Sequence, residues 1–434
     1  MLDVAAALSE TLVYLQPGTT TVVTGGRLID GSGAAPIGPA TIVVRGDRIE
    51  AVGPAGCVAV PSGPSIRVLD VAGQTVLPGL IDAHVHLTGD TGRSAYEEYL
   101  PGNAAYKTLR AGREAMKALR SGFTTMRVLG HGPAERVYAL RQAVAEGWLP
   151  GPRLLTSGWA ISQSGGHGNV SFLPPDLVQR FRPRSAFADG PEECRRMVRL
   201  NFGEGADLIK IYTSEHGPAR GRNITNFTID EIRAMADEAH ARGAKVAAHA
   251  TNPEGVRLAI EGGVDTIEHG GDLSGEVATL RMMADRGTFL IPTLYINHAV
   301  ATEGAARAWT SEDRLPAVVE RARRLLDAQR SFLKRAFGMG VKIAVGTDGG
   351  ALGHGISARE LELLVWCGLS PMEALTAGTE TAAAALGLED HVGTLAEGRL
   401  GELIVVNADP LADIRVLQRP ENIKWILKST NPLT

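Results

Sequence analysis

Two histidines one residue apart, His84 and His86, close an apolar run that follows a Pro78-Gly79 turn, Leu80-Ile81-Asp82-Ala83-His84-Val85-His86-Leu87. Side chains alternate along a strand, so both imidazoles face one side. Such a pair can hold a metal ion or can be two surface histidines, and the rest of the chain decides between them. Other ionisable residues stand beside apolar runs in the same manner. Lys210 lies inside Leu208-Ile209-Lys210-Ile211-Tyr212, and His249 closes Val246-Ala247-Ala248-His249. Glu268-His269 closes a run from Asp265, and Asp348 follows Val345-Gly346-Thr347. Imidazole and carboxylate together suit divalent ions such as Zn²⁺. A lysine among isoleucines is costly as a lone ammonium, so it is either paired with a carboxylate or neutral. Beside four histidines a second cation has the wrong charge for a metal site. Carboxylation by CO₂ would turn the amine into an anion able to bridge two ions.

These residues need a scaffold that brings their strand ends together. Strand-type runs are expected at Leu80–Leu87, Thr124–Leu129, Arg153–Ser157, Asp207–Tyr212, Lys245–His249, Thr266–His269, Phe289–Thr293 and Lys342–Thr347. Helical runs follow most of them, at Ala104–Ser121, Ala134–Glu146, Pro191–Glu204, Ile229–Arg242, Glu254–Glu261, Ser274–Arg286, Leu315–Met339 and Ala358–Trp366. Thr228 with Glu231 reads as a capping box, and glycines such as Gly243 and Gly287 stand where helices end. Eight strand–helix pairs in this order predict an α/β fold, a (β/α)₈ TIM barrel over residues 76–389. Ser370–Leu386 reads as one further helix. Short strands near the N-terminus, Thr20–Arg27, Ala40–Arg45, Arg48–Val52 and Ile66–Asp70, are too few to close a core alone. Glu402–Asn407 and Asn422–Leu427 supply partners, so residues 1–75 plus 390–434 are expected to form one discontinuous β-sandwich domain. Residues 1–17 read as a short helix and linker.

The composition of the 434 residues narrows the function. A formal net charge of −4 gives no basic field for nucleic acid or a membrane surface. No apolar run reaches the roughly 18–20 residues of a membrane span. The first residues lack the basic segment of a secretory signal, so a cytoplasmic location is expected, with earlier removal of a signal peptide left open. Three scattered cysteines, Cys57, Cys194 and Cys367, fit reduced thiols. None stands at a strand end, and there is no Gly-x-Ser-x-Gly elbow, so no nucleophilic side chain is called for.

The motifs Pro78-Gly79-Leu80-Ile81-Asp82-Ala83-His84-Val85-His86, Gly205-Ala206-Asp207-Leu208-Ile209-Lys210-Ile211, Val246-Ala247-Ala248-His249-Ala250, Asp265-Thr266-Ile267-Glu268-His269-Gly270 and Val345-Gly346-Thr347-Asp348 together resemble the amidohydrolase superfamily. The resemblance runs from about residue 21 to about residue 411. It leans to the branch of imidazolonepropionase-like prolidases and metal-dependent carboxypeptidases, which includes ochratoxin-type amidohydrolases. It implies that His84, His86 and Asp348 bind one metal ion, that His249 and His269 bind a second, and that an N6-carboxylated Lys210 bridges both. Two Zn²⁺ ions would fit, and Mn²⁺, Co²⁺ or Fe²⁺ are alternatives. Two such ions would share a hydroxide, and Asp348 would shuttle its proton to a leaving amine.

The implied reaction is cleavage of an amide or peptide bond in a small molecule. It would release a C-terminal amino acid from a dipeptide or N-acyl amino acid, with ochratoxin A-like amides as a subclass. Cyclic amides, as for imidazolonepropionase, and carbamates or esters are alternatives. The cyclic-amide group typically lacks the lysine that Lys210 represents. A non-catalytic scaffold would be expected to have lost ligands. Relatives are often homo-oligomers. Tyr212, on the same face as Lys210, either touches substrate or packs. His167, in the loop Gly165-Gly166-His167-Gly168, either binds substrate or lies on a surface loop. His298 and His354 follow the seventh and eighth strands and are candidate substrate contacts, with His131 and His216 in comparable loops. His240 and His391 read as structural. Arg180, Arg182 and Arg184 lie in a long loop suited to a substrate carboxylate.

Overall fold

The computed structural model describes residues 8–63, 65–88, 104–130, 134–168, 186–216, 223–302, 315–350 and 353–429. Arg180, Arg182, Arg184 and His131 lie outside them. Eight strands alternate with helices as the sequence predicts. They are β1 Leu80–Val85, β2 Phe123–Val128, β3 Arg153–Thr156, β4 Ile209–Tyr212, β5 Val246–Ala250, β6 Thr266–His269, β7 Phe289–Ile291 and β8 Lys342–Ile343. All their pairings are parallel, and they form a three-stranded arc β3-β2-β1 and a five-stranded arc β4-β5-β6-β7-β8. β1 and β2 are buried along their whole length, as parallel strands covered on both faces must be.

Backbone hydrogen bonds join the arcs at both seams. Ile161, beyond β3, donates its N–H to the Lys210 carbonyl at 2.8 Å and accepts from Tyr212 at 3.1 Å. On the other side Ala83 donates to the Val345 carbonyl at 2.9 Å, and Asp348 donates to that of His84 at 2.8 Å. Gly346 permits this second approach, because a Cβ there would lie 2.3 Å from Ile291 and 2.9 Å from the His84 side chain. β8 is accordingly shorter than the expected Lys342–Thr347.

Some elements differ from expectation. The expected Ser370–Leu386 helix is two helices, Pro371–Ala377 and Glu380–Leu386. The break frees carbonyls that a continuous helix would use internally. That of Gly378 accepts from Ile81 and that of Ala377 from Val345, each at 2.9 Å. The stretch after β7 forms a helix, Leu294–Thr302, where a loop was expected, ahead of Leu315–Gly338. Near the N-terminus, Leu12–Leu15 is a strand in parallel pairing with Ile426–Ser429, not a linker. Its burial alternates, with Val13 and Leu15 inside.

That pair belongs to a five-stranded sheet drawn from both ends of the chain, in which Leu403–Val406 lies between Ile423–Ser429 and Thr75–Pro78, with Arg27–Leu28 at the far edge. A four-stranded sheet holds Thr20–Thr24, Ala40–Arg45, Arg48–Pro54 and Ile66–Asp70. The two share a core of their own that includes Leu15, Val23, Ile42, Val44, Val405 and Leu427. Burial of each such side chain contributes roughly 1.5–3 kcal/mol. Among the described residues no helix is long and apolar enough to cross a membrane. The three cysteines are free.

Candidate metal centre

Strand registry assembles the cluster. Period-two alternation puts Asp82, His84 and His86 on one face of β1 and its continuation. Lys210 and Tyr212 share a face of β4, Tyr212 sits opposite His249 on β5, and His249 sits opposite Glu268 on β6. His269 directly follows Glu268 and in a regular strand would point to the other face. Its φ of 72° ends the strand and swings the ring back to the same cluster. Asp348 (φ 57°) and Thr293 (φ 47°) are the other described non-glycine residues with positive φ. All three stand at strand ends around the histidines, and such strain persists only where surrounding contacts enforce it.

The ligand atoms of His84, His86 and Asp348 lie within 4.8 Å of one another. His86 Nε2 is 2.9 Å from Asp348 Oδ1, and His84 Nε2 is 3.5 Å from the same oxygen. The second pair adjoins the first. The His269 ring centroid is 5.0 Å from that of His84 and 4.5 Å from that of His249. His167 reaches the group from an exposed position, its ring 4.2 Å from His249 and 4.7 Å from Tyr212.

Lys210 is 1% exposed in the middle of this set. Its Nζ sits 5.9 Å from the Tyr212 ring centroid. No carboxylate among the described residues pairs with it. Burial lowers its ammonium to about 8, which Glu268 and Asp348 oppose and Arg127 reinforces.

Burial favours the neutral form of three of these histidines. Burial takes His84 down to about 4, Lys210 adds to this, and Glu268 works against it. Burial and neighbouring cations take His249 far below its ordinary value, and burial does the same for His269. Asp348 is the reverse case. Burial would raise its carboxyl, but the His86 hydrogen bond and surrounding imidazoles hold it well below the usual carboxylate range. Imidazole nitrogens and one firmly ionised carboxylate form a donor set that suits divalent ions.

Several supporting residues are absent from the expected list. Glu268 is fully buried, with Oε2 2.7 Å from His84 Nδ1 and Oε1 accepting from Arg127 Nη2 at 2.7 Å. Thr266 also donates to Oε1, and Arg127 Nε donates to the Ala83 carbonyl at 2.6 Å. Burial would raise the Glu268 carboxyl; Arg127 and His84 outweigh it and keep it firmly ionised. This chain of contacts assigns the proton of His84 to Nδ1 and leaves Nε2 open for a ligand. Thr293 Oγ1 lies 2.8 Å from Nδ1 of His269 and anchors that ring. Asp82 accepts from Thr347 Oγ1 at 2.7 Å and from its N–H at 3.1 Å, which ties β1 to the turn carrying Asp348. Burial pushes Asp82 up to about 6. Glu360 accepts from the N–H groups of Leu294 and Tyr295, each at 2.8 Å, and fixes the helix start beyond Thr293. Arg127 and Asp82 carried a signal that was available, since each is a charged residue in an apolar strand, as Lys210 is.

Of the remaining candidates, His354 adjoins His86, whose charge and backbone both act on it. His298 is half-buried on Leu294–Thr302, with Nδ1 3.3 Å from Thr302 Oγ1. His354 is buried against Gly349, with its backbone N–H 3.3 Å from Glu114, and burial lowers it to about 4. His216 lies in a short hairpin strand, Ser214–His216. His240 pairs with Asp265 at 2.8 Å near the surface. His391 follows the helix Glu380–Leu386, away from the cluster.

Residues 75–429 match the amidohydrolase family model. The chain is 30% identical over 432 residues to the ochratoxinase of Aspergillus niger, covering 94% of this chain and 85% of that one. It is 27% identical to the imidazolonepropionase of Symbiobacterium thermophilum over 86% of this chain and 85% of that one. Among solved structures it is similar to a Xaa-Pro dipeptidase with methionine bound in the active site. The TM-score is 0.83 at 30% identity, covering 94% of this chain and 98% of that one.

Proposed function

The chain belongs to the amidohydrolase family, and from that membership we propose that it is a binuclear metal-dependent amidohydrolase acting on small molecules. Its reaction in this reading releases a C-terminal amino acid from a dipeptide or N-acyl amino acid, N-acyl aromatic amides of the ochratoxin kind among them. The two arcs of strands are read as one closed (β/α)₈ barrel, and the sheets from the two chain ends as a separate β-sandwich domain. The observation that carries the proposal is Lys210, a buried amine that forms no direct ion pair among the described residues and stands amid four histidines and an aspartate. An ammonium there repels metal ions, whereas its carboxylated form supplies two oxygens. The same residue favours linear amides over the imidazolonepropionase reaction. The similarity to a dipeptidase and to an ochratoxinase supports the substrate class.

His84, His86 and Asp348 would hold one divalent ion, His249 and His269 the other, and carboxylated Lys210 both, with Zn²⁺ the ion that suits the set. When bound, the ions supply Lewis acidity, polarising the scissile carbonyl and making water a competent nucleophile near neutral pH. Asp348 takes a proton from the attacking water and delivers it to the departing amine nitrogen. Glu268 keeps His84 in one tautomer and orientation, and Thr293 anchors the ring of His269. His167 and Tyr212, stacked at the open side, orient the substrate's carbonyl or carboxylate. A homo-oligomer with no nucleic-acid or membrane partner completes the reading.

The direct test is release of free amino acids from a library of dipeptides and N-acyl amino acids by Zn²⁺-loaded protein with bicarbonate present. Release of one class of C-terminal residue is the expected result. No release from protein carrying two ions per chain turns the search to cyclic amides, carbamates and esters. Lys210→Ala is expected to lose both bound metal and turnover. Normal metal content and rate in that variant would refute the binuclear reading.

A further inference from the structure

The left-handed residues at the ends of β6 and β7 share one side-chain partner. Gln329, 1% exposed, lies on the helix Leu315–Gly338. Its Nε2 donates to the Pro292 carbonyl at 2.7 Å and to the His269 carbonyl at 3.3 Å. Its Oε1 accepts from Asn297 Nδ2 at 3.1 Å. Two carbonyl acceptors need the N–H₂ group on their side, so these partners fix the orientation of the amide.

These contacts fall where the sheet stops. The last matched pair of β6 and β7 is Glu268 with Ile291, so His269 and Pro292 lie just beyond the ladder. His269 has a φ of 72°, and Thr293, directly after Pro292, a φ of 47°. For a β-branched residue such as Thr293 that conformation is a true outlier, which surrounding contacts must enforce. Gln329 holds the carbonyl before Thr293, and Glu360 holds the N–H groups after it, those of Leu294 and Tyr295, at 2.8 Å each. Asn297, on the helix that starts at Leu294, returns to Gln329 and closes the loop of contacts. One amide therefore sets the spacing of two strand ends, and across that spacing Thr293 Oγ1 meets His269 Nδ1 at 2.8 Å.

We propose that Gln329 is a positioning residue for the candidate metal centre, holding His269 and Thr293 in the turns that aim the His269 ring at His84 and His249. Its effect on metal binding rests on the binuclear reading above, whereas its hold on the two turns does not. In that reading His269 is a ligand of one ion only. Loss of Gln329 should therefore weaken one ion and spare the one held by His84, His86 and Asp348.

The test titrates full-length protein and its variants with Zn²⁺ against a chromophoric chelator, with bicarbonate present, and compares crystal structures of the metal-free forms. Gln329→Met keeps the length of the side chain and removes both donors. Phe332→Leu thins the buried face of the same helix with no polar change. Gln329→Glu keeps the shape, offers at most one donor, and replaces Gln329→Met if that variant does not fold. In Gln329→Met one ion should bind as in the parent and the other about 10- to 100-fold more weakly, the usual scale for loss of an outer partner. His269 and Thr293 should leave positive φ in its structure. Phe332→Leu should bind both ions as the parent does. The proposal is overturned if Gln329→Met binds both ions like the parent, or weakens both to the extent that Phe332→Leu does. It is also overturned if the variant keeps both turns and the 2.8 Å contact between Thr293 and His269. Fewer than two ions in the parent protein would instead refute the binuclear reading, and the two structures would then decide on Gln329 alone.

Discussion

Glu268 touches no candidate substrate position, yet the orientation of His84 depends on it. Its two oxygens divide the work, one on His84 and the other on Arg127 and Thr266. Glu268→Gln keeps the shape but turns an amide N–H₂ toward either the imidazole N–H or the guanidinium. Metal retention after dialysis, read by elemental analysis, is expected to fall about 10- to 100-fold in affinity, the usual scale for loss of such a partner. Unchanged retention would reduce Glu268 to a packing role. Lys210 gives a pH dependence with a definite sign. Its ammonium is lowered from 10.5 to about 8 in the fold, so the unfolded chain binds more protons between those values. Stability of metal-free, CO₂-depleted protein should therefore rise as pH goes from about 8 toward 10.5. Lys210→Met should flatten that rise and be the more stable form at pH 7, by on the order of 3 kcal/mol. Denaturant melts of the two proteins across this range check it.

At the scale of elements, strand ends matter more than strand bodies. His84, Lys210, His249 and Asp348 were legible because a polar residue closing or interrupting an apolar run is conspicuous in any sequence. The role of Glu268 was not, since Arg127 lies 141 residues away and only the fold unites them. The left-handed turns at His269, Thr293 and Asp348 were equally hidden, because no glycine marks them. The broken helix at Gly378 escaped for a related reason. Local propensity favours a continuous Ala-rich helix, and the demand for its carbonyls comes from Ile81 and Val345, far off in the chain. Gly346 shows how closely β1 and the turn after β8 approach. Gly346→Ala drives a methyl into Ile291 and the His84 side chain. A loss of about 1–3 kcal/mol from overpacking is expected, together with weaker metal binding, because the displaced group is one of the proposed ligands. A thermal melt and a metal assay on one sample separate that outcome from a purely structural loss, in which metal binding would be normal.

Across the whole molecule, the sheet of mixed origin ties the ends of the chain to the middle. Leu403–Val406 is an inner strand, bonded to Thr75–Pro78 on one side and Ile423–Ser429 on the other. The sequence showed that the N-terminal strands needed partners but not that Leu12–Leu15 was among them, because four residues are too few for a periodic signal. A chain ending at Glu402 should lose both C-terminal strands from this sheet, along with cooperative unfolding. Soluble yield and the sharpness of the thermal transition measure this. A sharp transition at the parent temperature would mean that the sheet contributes nothing to the rest.

The parallel pairing of Leu12–Leu15 with Ile426–Ser429 also carries a consequence for biosynthesis. The first strand leaves the ribosome about 400 residues before its neighbour exists. At roughly 5–20 residues per second, that is a wait of about 20–80 s. Throughout that interval the nascent chain exposes an apolar, unpaired strand edge, so the sheet can close only once residues 423–429 have been made, and factors that shield emerging chains have a long opportunity at Leu12–Leu15.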